Sequence, residues 1–146
     1  MNNTLESAFN HLNDDVCEKL ASAARQKSQE MGVQVCFAIY DPDGLMRLFR
    51  RFGNAQMISV KLTPAKAYTA AISATPSEVF GKLVGPDQPL MDYDIIDHYF
   101  TPIAGGLPLM IGKECVGGIG VGGGVGNQDS QIAKFVIDTF NQIIKE

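Results

Sequence analysis

The 146-residue chain, with 45% hydrophobic and 19% charged residues, has the size and composition of one globular domain with a buried core. Its formal net charge of −4, with no basic run longer than Arg50-Arg51, argues against a nucleic-acid-binding protein. Its apolar stretches are shorter than the roughly 18–20 residues that span a bilayer, and the N-terminus lacks a signal-peptide pattern. We therefore predict a single domain over residues 1–146, with no nucleic-acid or membrane partner.

The N-terminal third predicts a long helix followed by a β-hairpin. Apolar residues recur at three- and four-residue intervals across residues 4–31, which indicates one apolar helix face that ends at Gly32. β-Forming residues then fill positions 33–40, and the Asp41-Pro-Asp-Gly44 turn leads into a second strand over residues 45–51.

The pattern of residues in the middle of the chain predicts short helices. Residues 59–74 are rich in alanine and lysine, and because Pro64 is tolerated best at the first position of a helix, we expect the helix itself to cover residues 64–74. A second short helix is expected over residues 75–84. Residues 90–99 are compatible with either a short strand or a helical turn.

The last third of the chain contains most of the glycines, which are concentrated in residues 105–129. Two apolar runs, 107–111 and 115–121, flank Gly112-Lys113-Glu114 and predict a β-hairpin. A glycine-rich loop follows, and a final amphipathic helix is expected to begin near Asp129.

The element order α-β-β-α-α-(β)-β-β-α favours an α+β fold with an antiparallel sheet and the terminal helices on one face. Residues 118–123 form a literal G-x-G-x-x-G, the pattern of dinucleotide-binding loops. No second parallel strand follows, so a βαβ unit cannot close. We interpret these glycines instead as positions where another backbone or a flat ligand comes close.

The three cysteines lie far apart and form no C-x-x-C pair, which is typical of reduced thiols in a cytoplasmic protein. Cys36 and Cys115 fall in strand-like runs, and we expect them to behave as small buried hydrophobes.

His11 and His98 are the only histidines of the sequence. His11 lies beside the apolar stripe of the first predicted helix, so it is either a surface residue paired with Asp15 one turn later or an axial ligand to a haem iron. His98 precedes the glycine-rich segment, and it is either an ordinary loop histidine or a ligand at the mouth of a pocket.

Charged residues elsewhere give weaker signals. The acidic cluster of Asp92, Asp94 and Asp97 lacks the pattern of a calcium loop and is interpreted as a solvated face. Lys61 and Lys66 flank Pro64 near a predicted helix start, where they could help to hold a carboxylate or propionate, although solvated lysines are the simpler interpretation. The sequence contains no recognisable nucleophile–base arrangement, which leaves enzymatic activity undecided and favours a non-catalytic protein.

Five short motifs occur in register between about residues 20 and 140, and together they resemble the GlcG/HbpS family, which includes the C-terminal domain of PduO-type proteins. In chain order they are Asp41-Pro-Asp-Gly44, Arg50-Arg51, Lys66-Ala67-Tyr68-Thr69-Ala70, Gly105-Gly106-Leu107-Pro108, and Gly118-Ile119-Gly120-Val121 with Asp129. The chain departs from the family pattern at Gly122, where serine is usual.

The resemblance implies a profilin-like sandwich with a central antiparallel sheet of about five strands and helices packed on it. It also implies homo-oligomers, from dimers to octamers. Several relatives bind haem, and others belong to glycolate use or to cobalamin-dependent diol and glycerol dehydratase systems. Membership implies no particular catalytic activity.

The first hypothesis is therefore a cytoplasmic, non-catalytic haem- or tetrapyrrole-binding accessory protein, although a chain without a cofactor fits the sequence equally well. His11 or His98 would ligate the iron. The other candidate cofactor-binding residues are Lys66, Arg50, Thr101, Gly105 and Gly106.

Two alternatives stay open. A small-molecule enzyme or modifier would use the Gly105–Pro108 step and the glycine-rich loop as a nest for a carboxylate or aldehyde oxygen. An assembly factor for a cobalamin enzyme or an adenosyltransferase would use a protein interface, in which glycine-rich strands pack closely against another subunit.

Overall fold

The computed structural model describes residues 11–146, which form a four-stranded antiparallel sheet with helices on both faces. The elements, in chain order, are α1 (Asp14–Met31), β1 (Cys36–Tyr40), β2 (Met46–Arg51), α2 (Met57–Ser73), α3 (Ser77–Lys82), α4 (Tyr93–Ile96), β3 (Gly106–Ile111), β4 (Glu114–Gly122) and α5 (Gln128–Lys145). The strand order is β2-β1-β4-β3.

One face of the sheet carries the apolar core. Phe37 and Ile39 of β1 and Ile119 of β4 are fully buried there. Helices α1 and α5 cover this face and contribute Leu20 and Phe140 to the same cluster. Complete burial of each such side chain stabilises the fold by about 1.5–3 kcal/mol. The expectation that the terminal helices share one face of the sheet is confirmed.

The opposite face of β4 is lined by glycine, and helix α2 lies directly on it. A Cβ atom at Gly118 would lie 2.6 Å from the carbonyl oxygen of Ala67, and one at Gly120 would lie 2.5 Å from that of Thr63. These alternate positions must be glycine for the helix backbone to reach the sheet. The prediction that the glycines admit another backbone is therefore confirmed, and that backbone belongs to α2 of the same chain.

Two helix boundaries differ from the prediction. Helix α1 begins after Asn13, whose Oδ1 accepts a hydrogen bond of 2.9 Å from the Val16 amide and so caps the helix. The part of the predicted helix before residue 11 lies outside the described residues. Helix α2 begins at Met57, so Pro64 lies inside it instead of at its first position.

The sheet also has fewer strands than the predicted five or so. Within residues 11–146 it has four, because residues 90–99 contain the short helix α4 and no strand. The two predicted hairpins are present as β1–β2 and β3–β4, and β4 pairs with β1 in antiparallel register. The predicted α/β sandwich is thus confirmed with one strand fewer.

Candidate functional site

A half-open groove of about 530 Å³ lies between helix α2 and the chain that follows α4. This volume falls in the range of roughly 300–1,000 Å³ that is usual for small-molecule sites. Its lining residues are Tyr40, Val60, Lys61, Pro64, Ala65, Tyr68, His98 and Tyr99. We call it the tyrosine groove, because three of its side chains are tyrosines from β1, α2 and the loop after α4.

The three rings of the tyrosine groove contact one another. The rings of Tyr40 and Tyr68 meet edge to face with centroids 6.1 Å apart, and those of Tyr68 and Tyr99 are tilted with centroids 5.7 Å apart. Tyr40 reaches this side because alternate residues of β1 point to opposite faces, and Ile39 points into the core. The arrangement gives a largely aromatic wall with polar tips.

Pro64 shapes the wall that α2 contributes. Proline has no amide hydrogen, so it cannot donate the helical hydrogen bond to the carbonyl of Val60, four residues earlier. Both residues line the groove. Because Pro64 lies inside α2, the helix lacks one backbone hydrogen bond where it faces the groove.

Asp97 fixes the far side of the groove to helix α2. The hydroxyls of Tyr68 and Tyr93 both donate to its Oδ2, at 2.8 and 2.6 Å, and the amide of Tyr99 donates to its Oδ1 at 3.1 Å. Burial, together with the hydrogen bond to Asp97, raises the pKa of Tyr93 to about 12 and also raises the pKa of Tyr68. Both phenols therefore stay protonated and donate. The prediction that Asp97 belongs to a solvated face is wrong.

His98 follows Asp97 directly and is exposed at the groove. The exposed Lys61 of α2 lines the same groove. The groove thus combines an imidazole, an ammonium group and aromatic surface. Across residues 11–146 there is no cluster of three or more His, Cys, Asp or Glu side chains that would hold a metal ion by itself.

His11 lies elsewhere. It is exposed and precedes the Asn13 cap, so it does not share helix α1 with Asp15 as the predicted surface pair requires. It is also not among the residues that line the tyrosine groove. The two histidines that the sequence offered as ligands therefore have different surroundings.

Lys66 is buried, which makes the interpretation of a solvated lysine wrong. Its side chain is 1% exposed, and its Nζ donates to the Val121 carbonyl at 2.8 Å and to Asp129 Oδ2 at 3.0 Å. The other carboxylate oxygen of Asp129 accepts the Gly124 amide at 2.8 Å. The lysine is turned inward because α2 lies flat on the glycines of β4, which leaves this helix face without solvent.

Gly105 and Gly106 adjoin the buried lysine. A Cβ at Gly105, whose φ is +125°, would lie 2.9 Å from Lys66 Nζ, and one at Gly106 would collide with the Lys66 carbonyl. Gly106 also donates its amide to Ser77 Oγ at 3.0 Å. The structure therefore brings Lys66, Gly105 and Gly106 together, outside the set of residues that lines the tyrosine groove.

Arg50 and Thr101 have partners within the chain. Arg50 Nη2 donates to Glu18 of α1 at 2.6 Å, across the sheet face that α1 and α5 cover. Thr101 is 6% exposed, and its amide donates to Thr69 Oγ1 of α2 at 3.0 Å. Arg50 thus lies away from the tyrosine groove, and Thr101 holds the chain after His98 against α2.

The prediction of a buried thiol is confirmed for Cys36 but only in part for Cys115. Cys36 is fully buried with its Sγ 3.2 Å from Ser59 Oγ, whereas Cys115 is half-buried and donates to the Gly117 carbonyl at 3.2 Å. Burial raises the pKa of the Cys115 thiol, which keeps it protonated.

No helix in the described chain combines the length and apolar character that crossing a membrane requires.

The sequence analysis did not single out the groove tyrosines, and it assigned Asp97 only to a solvated acidic cluster. Two of the five motifs nevertheless contain residues with the contacts described above. Tyr68, which binds Asp97, lies inside the Lys66–Ala70 motif, and Asp129, which pairs with Lys66, ends the glycine motif. Their partners were not evident, because Tyr99 and Asp97 lie about 30 positions from Tyr68 and are joined to it only by the fold.

Comparison with known proteins gives several relatives in sequence, two of which are as follows. The chain is 29% identical over 127 residues to an uncharacterised 15.0 kDa protein from the dhaT-dhaS intergenic region of Citrobacter freundii, which covers 86% of this chain and 89% of that protein. It is 30% identical over 126 residues to the corrinoid adenosyltransferase PduO of Salmonella typhimurium, covering 84% of this chain but only 37% of the enzyme. This chain therefore matches little more than a third of that enzyme.

The fold has a solved counterpart in a complex of PduOC with haem, with a TM-score of 0.80 and 28% identity over 86% of this chain and 92% of that one. Residues 12–138 match the family described as haem degrading protein HbpS-like. The sequence motifs, the sheet and this match agree, and the chain belongs to the HbpS-like family.

Proposed function

We propose that this chain is a haem-binding accessory protein and that the tyrosine groove holds the macrocycle. The observation that carries the proposal is the juxtaposition of His98 and Lys61 with the rings of Tyr40, Tyr68 and Tyr99 around one groove of about 530 Å³. A flat, apolar group with two carboxylates and a metal centre needs apolar surface, a cation and an imidazole. The groove supplies all three.

Each residue would have a distinct role. The His98 imidazole would ligate the iron, the tyrosine rings would cover the apolar macrocycle, and Lys61 would pair with a propionate. Lys66 and Arg50 already pair with Asp129 and Glu18, which supports Lys61 as the propionate partner. Bound haem would supply the redox chemistry of its iron, while the protein binds it, orients it and limits access of water.

The relatives support haem as the ligand. The solved PduOC structure is a haem complex, and the family description names haem degradation. We propose binding without a catalytic group from this chain, because the two phenols that donate to Asp97 stay protonated.

Hemin titration of the purified protein, followed by absorption spectroscopy, tests the proposal. We expect a shifted Soret band with one haem per chain. The His98→Ala variant should bind at least about tenfold more weakly, equivalent to about 1.4 kcal/mol, with an altered spectrum. His11→Ala is the matched control and should resemble the wild type. Absence of a Soret shift in the wild type would overturn haem binding, whereas loss of the band in His11→Ala alone would overturn only the assignment to the groove.

We further propose that residues 1–146 form one cytoplasmic domain that self-associates into homo-oligomers. The free and largely buried thiols of Cys17, Cys36 and Cys115 support a reducing compartment. The sequence resemblance to a family of homo-oligomers supports self-association. Light scattering measures the molar mass of the protein in solution with and without hemin. A chain that is monomeric in both conditions would contradict the proposed self-association.

A second proposal concerns the partner. Because this chain resembles a part of a corrinoid adenosyltransferase, we propose that it acts beside an enzyme of that class or beside a cobalamin-dependent enzyme. Pull-down with a purified corrinoid adenosyltransferase tests this association. Retention only of the wild-type chain, and not of a heat-denatured control, is the expected result.

A further inference from the structure

Residues 78–103, which we call the acidic loop, carry the charge imbalance of the whole protein. The loop has one basic residue, Lys82, and five acidic ones: Glu78, Asp87, Asp92, Asp94 and Asp97. Its formal charge, counting histidine as neutral, is therefore −4, equal to the net charge of the chain. The rest of the sequence contains equal numbers of acidic and basic side chains.

The acidic loop also concentrates exposed apolar side chains. Of the 13 large hydrophobic residues that are exposed in the described chain, eight lie in it. They are Val79, Leu83, Leu90, Met91, Ile95, Ile96, Tyr99 and Ile103. Single exposed apolar residues are ordinary on a protein surface. A concentration of exposed apolar side chains beside acidic side chains is typical of an interaction surface.

The loop has an ordered framework, so these side chains are not exposed through lack of structure. The rings of Phe80, Tyr93 and Phe100 pack edge to face with centroids 5.4 to 5.8 Å apart and fill its interior. The amide of Leu90 donates to the Leu83 carbonyl at 2.8 Å. Because aromatic rings occupy the inside, the aliphatic side chains remain outside. A preorganised surface of this kind binds with a smaller loss of conformational entropy.

The charge decides which occupant fits. A symmetric contact between two copies would place two loops of charge −4 against each other, and like charges across an interface cost several kcal/mol. A partner must instead bring positive charge together with apolar surface. An amphipathic helix with lysine or arginine beside its apolar stripe has both features.

We propose that the acidic loop is a docking surface for a basic amphipathic helix of a partner protein. Ile95 and Ile96, which are 64% and 80% exposed, would contact the apolar stripe of that helix. The exposed carboxylates of Asp92 and Asp94, on the preceding residues, would pair with its basic side chains. The proposal does not depend on haem binding, since its four contact residues do not line the tyrosine groove, although Tyr99 of the same loop does.

The test uses a fluorescein-labelled peptide of about 18 residues, five helical turns, with leucine and lysine at amphipathic spacing. Anisotropy with the full chain should report saturable binding that weakens as salt is added. Ile96→Ser and Asp94→Asn should each weaken it by about tenfold. Val125→Ser, at a side chain 75% exposed outside the loop, and Asp43→Asn are the matched controls and should bind as the wild type does.

Two peptides and one further measurement make the result decisive. A peptide of the same composition in scrambled order, and one with glutamate in place of lysine, should both fail to bind. Equal binding of the scrambled peptide, or equal losses in the loop and control variants, would show general charge attraction and overturn the proposal. Concentration-dependent self-association that Ile96→Ser abolishes would also overturn it, because the occupant would then be a second copy.

Discussion

Lys66 of the central helix α2 and Asp129 of the C-terminal helix α5 form a buried ion pair, with Nζ and Oδ2 3.0 Å apart and the lysine side chain 1% exposed. The pair lies beside the C-terminal end of β4. Each partner has one more hydrogen bond, Lys66 to the Val121 carbonyl and Asp129 from the Gly124 amide. These bonds offset part of the cost of removing both charges from water, and they hold the glycine-rich turn between the two helices.

Removing one partner of this pair should destabilise the fold strongly. Asp129→Ala leaves the Lys66 ammonium buried without its counter-charge, and we expect the free energy of unfolding to fall by about 3–5 kcal/mol. Lys66→Met should cost less, because the Asp129 side chain is 14% exposed and keeps the Gly124 amide. Urea denaturation measures both.

The double variant Lys66→Met/Asp129→Ala is the control for that prediction. Since it leaves no buried charge, it should be clearly more stable than Asp129→Ala alone. A double variant as unstable as the sum of the two single changes would show that the pair acts through packing and not through charge.

The glycines of β4 should tolerate no side chain where α2 crosses them. In Gly120→Ala the new Cβ would lie 2.5 Å from the Thr63 carbonyl oxygen and 2.7 Å from the Ala67 amide nitrogen, so the helix must move away. We expect a loss of at least about 3 kcal/mol, or failure to fold, as overpacking of rigid backbone gives. Thermal unfolding monitored by circular dichroism measures it.

Gly85→Ala is the matched control. Its Cβ would meet nothing closer than 3.9 Å, so its midpoint should stay close to that of the wild type. If Gly120→Ala were as stable as Gly85→Ala, the direct contact between α2 and β4 would be wrong.

These contacts show which parts of the fold were predictable from sequence. The turn at Asp41–Gly44 and the Gly112 turn are local signals, and both hairpins follow from them. The glycines of β4 indicated close approach of a backbone, but not which backbone, since that depends on where α2 lies. The sequence alone therefore predicts the two β-hairpins better than the position of the helix that covers β4.

The site was harder to predict for the same reason. Pro64 suggested a helix start, yet it lies inside α2. Lys66 was expected near an exposed first turn, but it is buried because α2 lies on the glycines of β4. The family motifs placed Lys66 and Asp129 in register, but only coordinates show that they meet. The tyrosine groove joins side chains from three separate elements, and no local pattern encodes such a meeting.

Asp97 should control the ionisation of the two tyrosines that it binds. Burial and the hydrogen bond to its carboxylate raise the pKa of Tyr93 to about 12 and raise that of Tyr68. Asp97→Asn removes the negative charge while keeping the size of the side chain, so phenolate absorbance should appear at lower pH in a spectrophotometric titration. Asp87→Asn, at an exposed position, is the control and should leave the titration unchanged. An unaltered titration in Asp97→Asn would show that burial alone sets these pKa values.

Cys17 should make the fold less stable in alkali. Burial of its side chain raises the pKa of the thiol from 9.0 to about 11. Between these values the unfolded chain loses the thiol proton while the folded chain keeps it, so the unfolded state binds fewer protons and the free energy of unfolding falls as pH rises. The stabilisation from this site is complete below pH 9.0 and is lost as pH rises towards about 11. Cys17→Ala removes the titrating group and should show a shallower decline across this window, even though its stability at neutral pH is lower through lost packing. Urea midpoints across the window, in the presence of a reductant, compare the two slopes, and parallel slopes would mean that the buried thiol contributes nothing to the alkaline transition.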